Sequence, residues 1–228
     1  MRHGNTSPDP PVDAASLRRQ RDHWDQTFAA HPDMYGTEPS APARAAAALF
    51  RAEGVATILE LGAGQGCDAL FFARQGFRVQ ALDFAADATA AIAAKAAAAR
   101  LATALTALPH DVREPLPVDA GAFDACYAHM LLCMALTMAE IERLVGEVRR
   151  ALRPGGLFVY TARTTDDAHY GAGIARGDDM YEHGGFIVHF FSRVLVERLA
   201  SGWTLLDVTA FEEGALPRRL FRVTMRRG

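Results

Sequence analysis

The chain is expected to fold as a three-layer α/β domain, Rossmann-like, around a seven-stranded and mostly parallel sheet with one antiparallel strand near its edge. Three observations lead there. Short apolar runs alternate with helix-like runs from about Val55 onward, the pattern of a sheet covered on both faces. The first of these runs, Ile58-Leu59-Glu60-Leu61, breaks into Gly62-Ala63-Gly64-Gln65-Gly66 and passes at once into a helix-like segment. The last two runs have no helix between them, which leaves room for one antiparallel pair.

Taken in order, residues 1–15 read as a disordered tail, with three prolines and few apolar groups before Val12. Residues 16–54 read as N-terminal helices and a lid. Ser16 caps a helix to about Ala30, with Trp24 and Phe28 four apart on one face; His31 to Gly36 is a connector; Pro42 to Arg51 is an alanine-rich helix. The domain proper spans 55–228. Strand one covers Thr57 to Leu61, and a helix from Asp68 to Gln75 is closed by Gly76. Strand two is Arg78 to Leu82, followed by an alanine-rich helix from Ala86 to about Arg100. Leu105 to Leu108 and Phe123 to Tyr127 are strands three and four. Thr137, with Glu140 three residues on, forms a capping box for a helix ending near Leu152. Strand five includes Phe158 to Thr161, and Ser192 caps a helix through Ala200. Thr204 to Ala210 and Leu220 to Met225 close the sheet.

Composition narrows the function. With 228 residues, half of them hydrophobic, the chain can bury one substantial core but hardly two. Net charge is -3, and basic residues alternate with acidic ones, so no nucleic-acid partner is expected. The three cysteines, Cys67, Cys126 and Cys133, cannot all pair, which fits a reducing, cytoplasmic setting. No run reaches the roughly 18 apolar residues of a spanning helix, so no membrane partner is expected either. The protein is expected to be a monomer or homodimer.

The glycine turn carries the chemistry. Backbone must bend sharply there and approach a ligand closely, which a Cβ would obstruct. Glu60, two residues before the first glycine, would repel a pyrophosphate and welcome positive charge. Asp83, at the end of strand two, can accept both hydroxyls of a ribose. A nucleoside with a positive centre and no diphosphate points to S-adenosylmethionine.

At these residues the chain resembles the class I S-adenosylmethionine-dependent methyltransferases, from about Val55 to the C-terminus. The resemblance assigns Glu60-Leu61-Gly62-Ala63-Gly64-Gln65-Gly66 to the methionine part of the cofactor and Asp83, followed by Phe84, to the ribose. It places Asp111 beside the adenine amino group, with the Val112 N–H offered to the ring, and Tyr127 in the same cradle. Leu152 to Val159 matches the turn before strand five.

Methyl transfer from a sulfonium asks for in-line alignment and, where needed, removal of a proton. It demands no metal, and the spacing of His169, His183 and His189 matches no helical ligand pair. Ligands in this fold lie beyond the C-terminal ends of the strands, which makes His129, just after strand four, the leading acceptor contact or base. A glycine-dotted insertion at about 163–191 is the expected acceptor pocket. His169 and Tyr170 are candidate catalytic groups there, with Arg163 and His183 as further substrate contacts. Arg163 can clamp an anionic acceptor or pair with Asp166 or Asp167; both readings stand. Tyr35 is a lid residue, and Trp24 either shapes the acceptor cavity or anchors its helix. A small-molecule acceptor follows, in the manner of tellurite-resistance and thiopurine-like methyltransferases. A thiol or other chalcogen acceptor is the alternative within that class, and a non-catalytic cofactor-binding module the alternative outside it.

Overall fold

The structure, a computed structural model, describes residues 19, 20, 22–24, 26, 27, 30, 36–214 and 218–228. Its central sheet has seven strands: β1 (Thr57–Leu61), β2 (Arg78–Asp83), β3 (Leu105–Pro109), β4 (Phe123–Ala128), β5 (Leu152–Arg163), β9 (Trp203–Glu213) and β10 (Arg218–Arg227). They lie in the order β3-β2-β1-β4-β5-β10-β9. Only β10 runs antiparallel to its neighbours, so the antiparallel strand sits one place in from the edge, as anticipated. Strand β1 is flanked by β2 and β4, with Glu60 opposite both Ala81 and Tyr127. Strand order reverses at this point, and in such sheets a crevice opens beyond the strand ends where it does.

Helices α1 (Ala41–Ala52), α2 (Cys67–Arg74) and α3 (Ala86–Ala98) cover one face, where Phe50, Phe72 and Ile92 are fully buried. Helices α4 (Met138–Ala151) and α5 (Arg193–Leu199) cover the other through Ile141, Val148 and Val196. The Thr137 and Ser192 caps read from sequence are present. Thr137 Oγ1 accepts the Glu140 N–H, Glu140 returns a carboxylate oxygen to the Thr137 N–H at 2.8 Å, and Ser192 caps α5. Strand β3 leads to β4 without a helix, which leaves the crevice wall on that side to a loop.

Two features depart from the expectation. Strand β5 starts at Leu152, which pairs with Phe123; pairing with β4 resumes at Leu157, so the Arg153 to Gly156 segment is an irregularity within the strand. The insertion is no simple loop: β6 (Ile174–Gly177), β7 (Met180–His183) and β8 (Phe186–His189) make a separate antiparallel sheet. Its two hairpins turn on Asp178-Asp179 and Gly184-Gly185, all four at positive φ, the backbone a two-residue hairpin requires. The tail before residue 16, the Ser16 cap, Phe28 and Tyr35 lie outside the described residues. Among the described residues no helix is long and apolar enough to cross a membrane.

At the opposite end of the sheet from the crevice, Asp124 ties β4 to the start of β1. Its carboxylate accepts the N–H groups of Ala56 (2.8 Å) and Thr57 (2.9 Å) and the Thr57 hydroxyl, while Arg153 donates to the other oxygen. Partial burial pushes this carboxyl up, but those donors outweigh it and bring it down to about 2. A folded-state value below the ordinary one stabilises the protein above about pH 4 and is lost as pH falls toward 2. Asp124→Ala is expected to remove about 2 kcal/mol, because two backbone donors lose their acceptor. Denaturant titration should show the gap between wild type and variant closing in acid.

Candidate active site

The crevice forms where the tips of β1, β2 and β3 meet the loop after β4. The glycine turn is stapled to β2: the N–H groups of Gly62 and Ala63 both reach the Leu82 carbonyl. Asp83 extends the staple, accepting the Gly64 N–H at 2.8 Å on one oxygen and the Ala85 N–H at 2.9 Å on the other. Gly66 then enters α2 at φ 81°. Gly62, Asp83, Phe84, Asp111 and Val112 line one cleft, half of the expected cofactor residues. Arg113 reaches back to Asp111 at 2.9 Å. His110 shares this wall; its Nε2 is buried with no hydrogen-bond partner among the described residues.

Beneath the turn lies a buried acidic layer. Glu60 and Asp68 are almost fully enclosed. Asp68 accepts from the Ser40 N–H (2.7 Å), the Ser40 hydroxyl (2.8 Å) and the Tyr127 hydroxyl (3.2 Å). Tyr127, expected in the cofactor cradle, is thus seated under the loop with its ring edge-on to Phe72. Burial pushes the Glu60 carboxyl well up, and the nearby charges of Asp68 and Asp83 add to it. Glu60 Oε2 has no partner among the described residues. Three clustered carboxylates, one of them unsatisfied, are a poor place for a phosphate and a good one for a cation. A sulfonium nucleoside with an α-ammonium group fits that environment. Gly62, Asp83, Phe84, Asp111 and Val112 line the cleft, with Glu60 buried beneath the turn.

The N-terminal helical segment roofs this cleft. Trp24 and Gln20 line it, and both hold to β8 of the insertion. The Gln20 amide donates to the Gly185 carbonyl (2.6 Å) and accepts the Ile187 N–H (3.0 Å), while Trp24 packs on Phe186 with ring centroids 4.8 Å apart. Trp24 therefore packs its helix against the insertion, and it lines the cleft beside the expected cofactor residues.

His129 follows the end of β4 and is partly exposed. Its Nδ1 lies 2.7 Å from the buried Thr161 hydroxyl on β5, and its Nε2 lies 3.4 Å from Glu213 Oε2 at the tip of β9. Thr161 Oγ1 also accepts the Met130 N–H at 2.9 Å. Burial pushes the Glu213 carboxyl up; the His129 hydrogen bond and charge, aided by Arg218, bring it below the ordinary range.

The remaining candidates form a second group. Arg163 is buried and makes a two-pronged ion pair with Asp167, while its other contacts are His169 Nδ1 (3.0 Å) and the Phe190 ring face. Of the two readings at Arg163, the ion pair is the one seen. His169 stacks on the exposed His183. The Tyr170 hydroxyl donates to Asp179 at 2.7 Å, and that hydrogen bond pushes its pKa up to about 12. His189 is buried and bonded through Nδ1 to the Leu136 carbonyl; burial lowers its pKa. Among the described residues no three His, Cys, Asp or Glu side chains are placed to hold a metal ion. Thr161, Glu213 and Gln20 were not singled out from the sequence, since each acquires its role through a partner more than 30 residues away.

The family described as "Methyltransferase domain" matches residues 58–156, the stretch from β1 through the glycine turn to the start of β5. This match covers the stretch that holds the glycine turn, Asp83 and Asp111. Among solved structures, the 1,6-didemethyltoxoflavin-N1-methyltransferase of Burkholderia thailandensis, with 1,6-didemethyltoxoflavin and S-adenosylhomocysteine bound, is similar over 99% of this chain and 98% of its own. Its TM-score is 0.76 and its identity 21%. The N-methyltransferase NodS of Bradyrhizobium japonicum WM9, in complex with S-adenosylhomocysteine, is similar over 92% of this chain and 98% of its own, at TM-score 0.68 and 13% identity. TehB of Haemophilus influenzae gives 90% and 67%, TM-score 0.65 and 13% identity. At these identities the likeness is one of fold. Among curated proteins, none matches the chain in sequence.

Proposed function

We propose that this protein moves the methyl group of S-adenosylmethionine onto a protic nitrogen of a small, ring-shaped acceptor. The observation that carries the reading is the roof. Gln20 and Trp24 line the cleft and are tied to Gly185, Phe186 and Ile187, which bounds the space beside the cofactor residues and supports a small-molecule acceptor. When bound, S-adenosylmethionine supplies an activated methyl group to an aligned lone pair. The protein's own part is to align the acceptor, exclude water and remove a proton. Glu60 and the glycine turn would hold the cationic end, Asp83 the ribose, and Asp111 with Val112 the adenine. His129, at the tip of β4, would border the acceptor, with His169, Tyr170 and His183 farther out on the insertion. Two of the structurally similar proteins above are named as N-methyltransferases, one with 1,6-didemethyltoxoflavin bound, which favours nitrogen over sulfur.

Two measurements test this. Calorimetry with S-adenosylhomocysteine is expected to show one binding event per chain. Methyl-labelled S-adenosylmethionine should then label 1,6-didemethyltoxoflavin or another N–H heterocycle in a panel that includes amines, phenols, thiols, a peptide and tRNA. Labelling confined to thiols, peptide or tRNA would overturn the reading.

A further inference from the structure

We infer that Glu213 is the proton acceptor of the reaction and that His129 positions it. This rests on the reading of a protic acceptor given above. The argument is a count of donors and lone pairs on three side chains. Thr161 is fully buried and its Oγ1 already accepts the Met130 N–H. At 2.7 Å from His129 Nδ1, its hydroxyl either donates to that nitrogen or receives from it. If it donates, the neutral ring carries its hydrogen on Nε2, the nitrogen 3.4 Å from Glu213 Oε2. If it receives and the ring is cationic, Nε2 again carries a hydrogen. The one other arrangement, a hydrogen on Nδ1 alone, would set a bare Nε2 lone pair against a carboxylate, which is repulsive.

In both permitted states the imidazole has no open lone pair, so it cannot take a proton from an acceptor. Glu213 can: an ionised carboxylate has about four acceptor positions and the ring uses one. Its side chain is about a quarter exposed, at the same end of the sheet as the cofactor crevice, because β9 runs parallel to β4 and β5. The charged groups facing it are His129 from the β4 tip and Arg218 from β10. Both favour the ionised carboxylate that a base requires.

The step balances. The acceptor nitrogen forms a bond to the methyl carbon, the carbon–sulfur bond breaks with its electron pair going to sulfur, and the N–H proton moves to Glu213, from which solvent removes it. The cationic sulfonium and the carboxylate anion become a neutral thioether and a neutral carboxylic acid.

The deciding experiment is long-range proton–nitrogen NMR on full-length protein labelled with 15N-histidine and saturated with S-adenosylhomocysteine, with the His129 signal assigned through His129→Gln. Near neutral pH the expected result is a hydrogen on Nε2, with the Nε2 signal moving in Glu213→Gln. A bare Nε2 with a hydrogen on Nδ1 overturns the inference, whatever the acceptor proves to be. On an acceptor labelled in the panel above, Glu213→Gln should lower kcat by about 100-fold while leaving S-adenosylhomocysteine affinity unchanged, and formate should restore part of the turnover of Glu213→Ala. A kcat within about threefold of wild type in Glu213→Gln also overturns it. If wild type labels nothing, the acceptor reading has failed on its own, and the NMR result still decides the proton's place.

Discussion

Asp83→Ala is expected to weaken S-adenosylhomocysteine binding by about 100-fold and to destabilise the fold by about 2–4 kcal/mol. Both effects come from one carboxylate. In the folded chain it is 4% exposed and accepts the Gly64 and Ala85 N–H groups, one on each oxygen. Truncation leaves both donors without their acceptor at the tightest part of the crevice, and each such loss costs about 1–3 kcal/mol. It also frees the glycine turn from β2, so the backbone that must lie against the ligand loses its fixed shape. The ribose hydroxyls lose their acceptor as well, and a hydrogen bond to a charged group contributes about 1.5–3 kcal/mol. Asp83→Asn should fall between, because its amide can satisfy one N–H but presents a donor to the other. Calorimetry and thermal unfolding measure the two effects separately. An affinity within about threefold of wild type in Asp83→Ala would remove the carboxylate from cofactor recognition.

Gly66→Ala is expected to be nearly as damaging, for a steric reason. Gly66 sits at φ 81°, and a Cβ built on it would stand 2.5 Å from Cγ1 of Ile92. Ile92 is fully buried on α3, so its Cγ1 is no loose end that can swing aside. The left-handed backbone costs a residue with a side chain about 1–2 kcal/mol, and overpacking a filled core adds about 1–3. The sum of about 2–5 kcal/mol should appear in denaturant titration, with cofactor affinity falling because the turn and α2 must shift together. Gly76 supplies the control. It has a similar positive φ, 91°, but nothing within 4 Å of its would-be Cβ, so Gly76→Ala should show the backbone cost alone. Equal losses at the two sites would mean that the close approach of α3 to the turn is unimportant.

The expected strands and helices largely match those observed because their signals are local. Glycines after an apolar run, a Thr137 to Glu140 capping box and an alanine-rich amphipathic stretch each act within about ten residues. The insertion sheet was missed for a reason that is also local. Strands of four residues with exposed faces carry no clear alternation, and the one legible sign, Gly184-Gly185 between His183 and Phe186, is a hairpin dipeptide that was read as loop. Strand β5 begins earlier than Phe158 because the Leu152 to Val159 stretch, a turn by resemblance, is an irregular part of the strand, where Gly156 leaves no room for a Cβ beside the Arg153 and Asp124 carbonyls.

Read alone, the sequence settled the class of fold, the glycine turn, the acidic residues at the tips of β1 and β2, and hence the kind of ligand those tips accept. It left undecided which side chains meet across strands that are distant along the chain. Thr161, His129 and Glu213 converge because β10 inserts between β5 and β9, and nothing within ten residues of any of them encodes that order. The same holds for Gln20, whose amide completes hydrogen bonds at the edge of β8 more than 160 residues away, and for the Phe190 ring that lies against Arg163. Local propensity acts over one turn or one pleat, while partners for polar side chains are assigned only once the strands have taken their places and the core has excluded water.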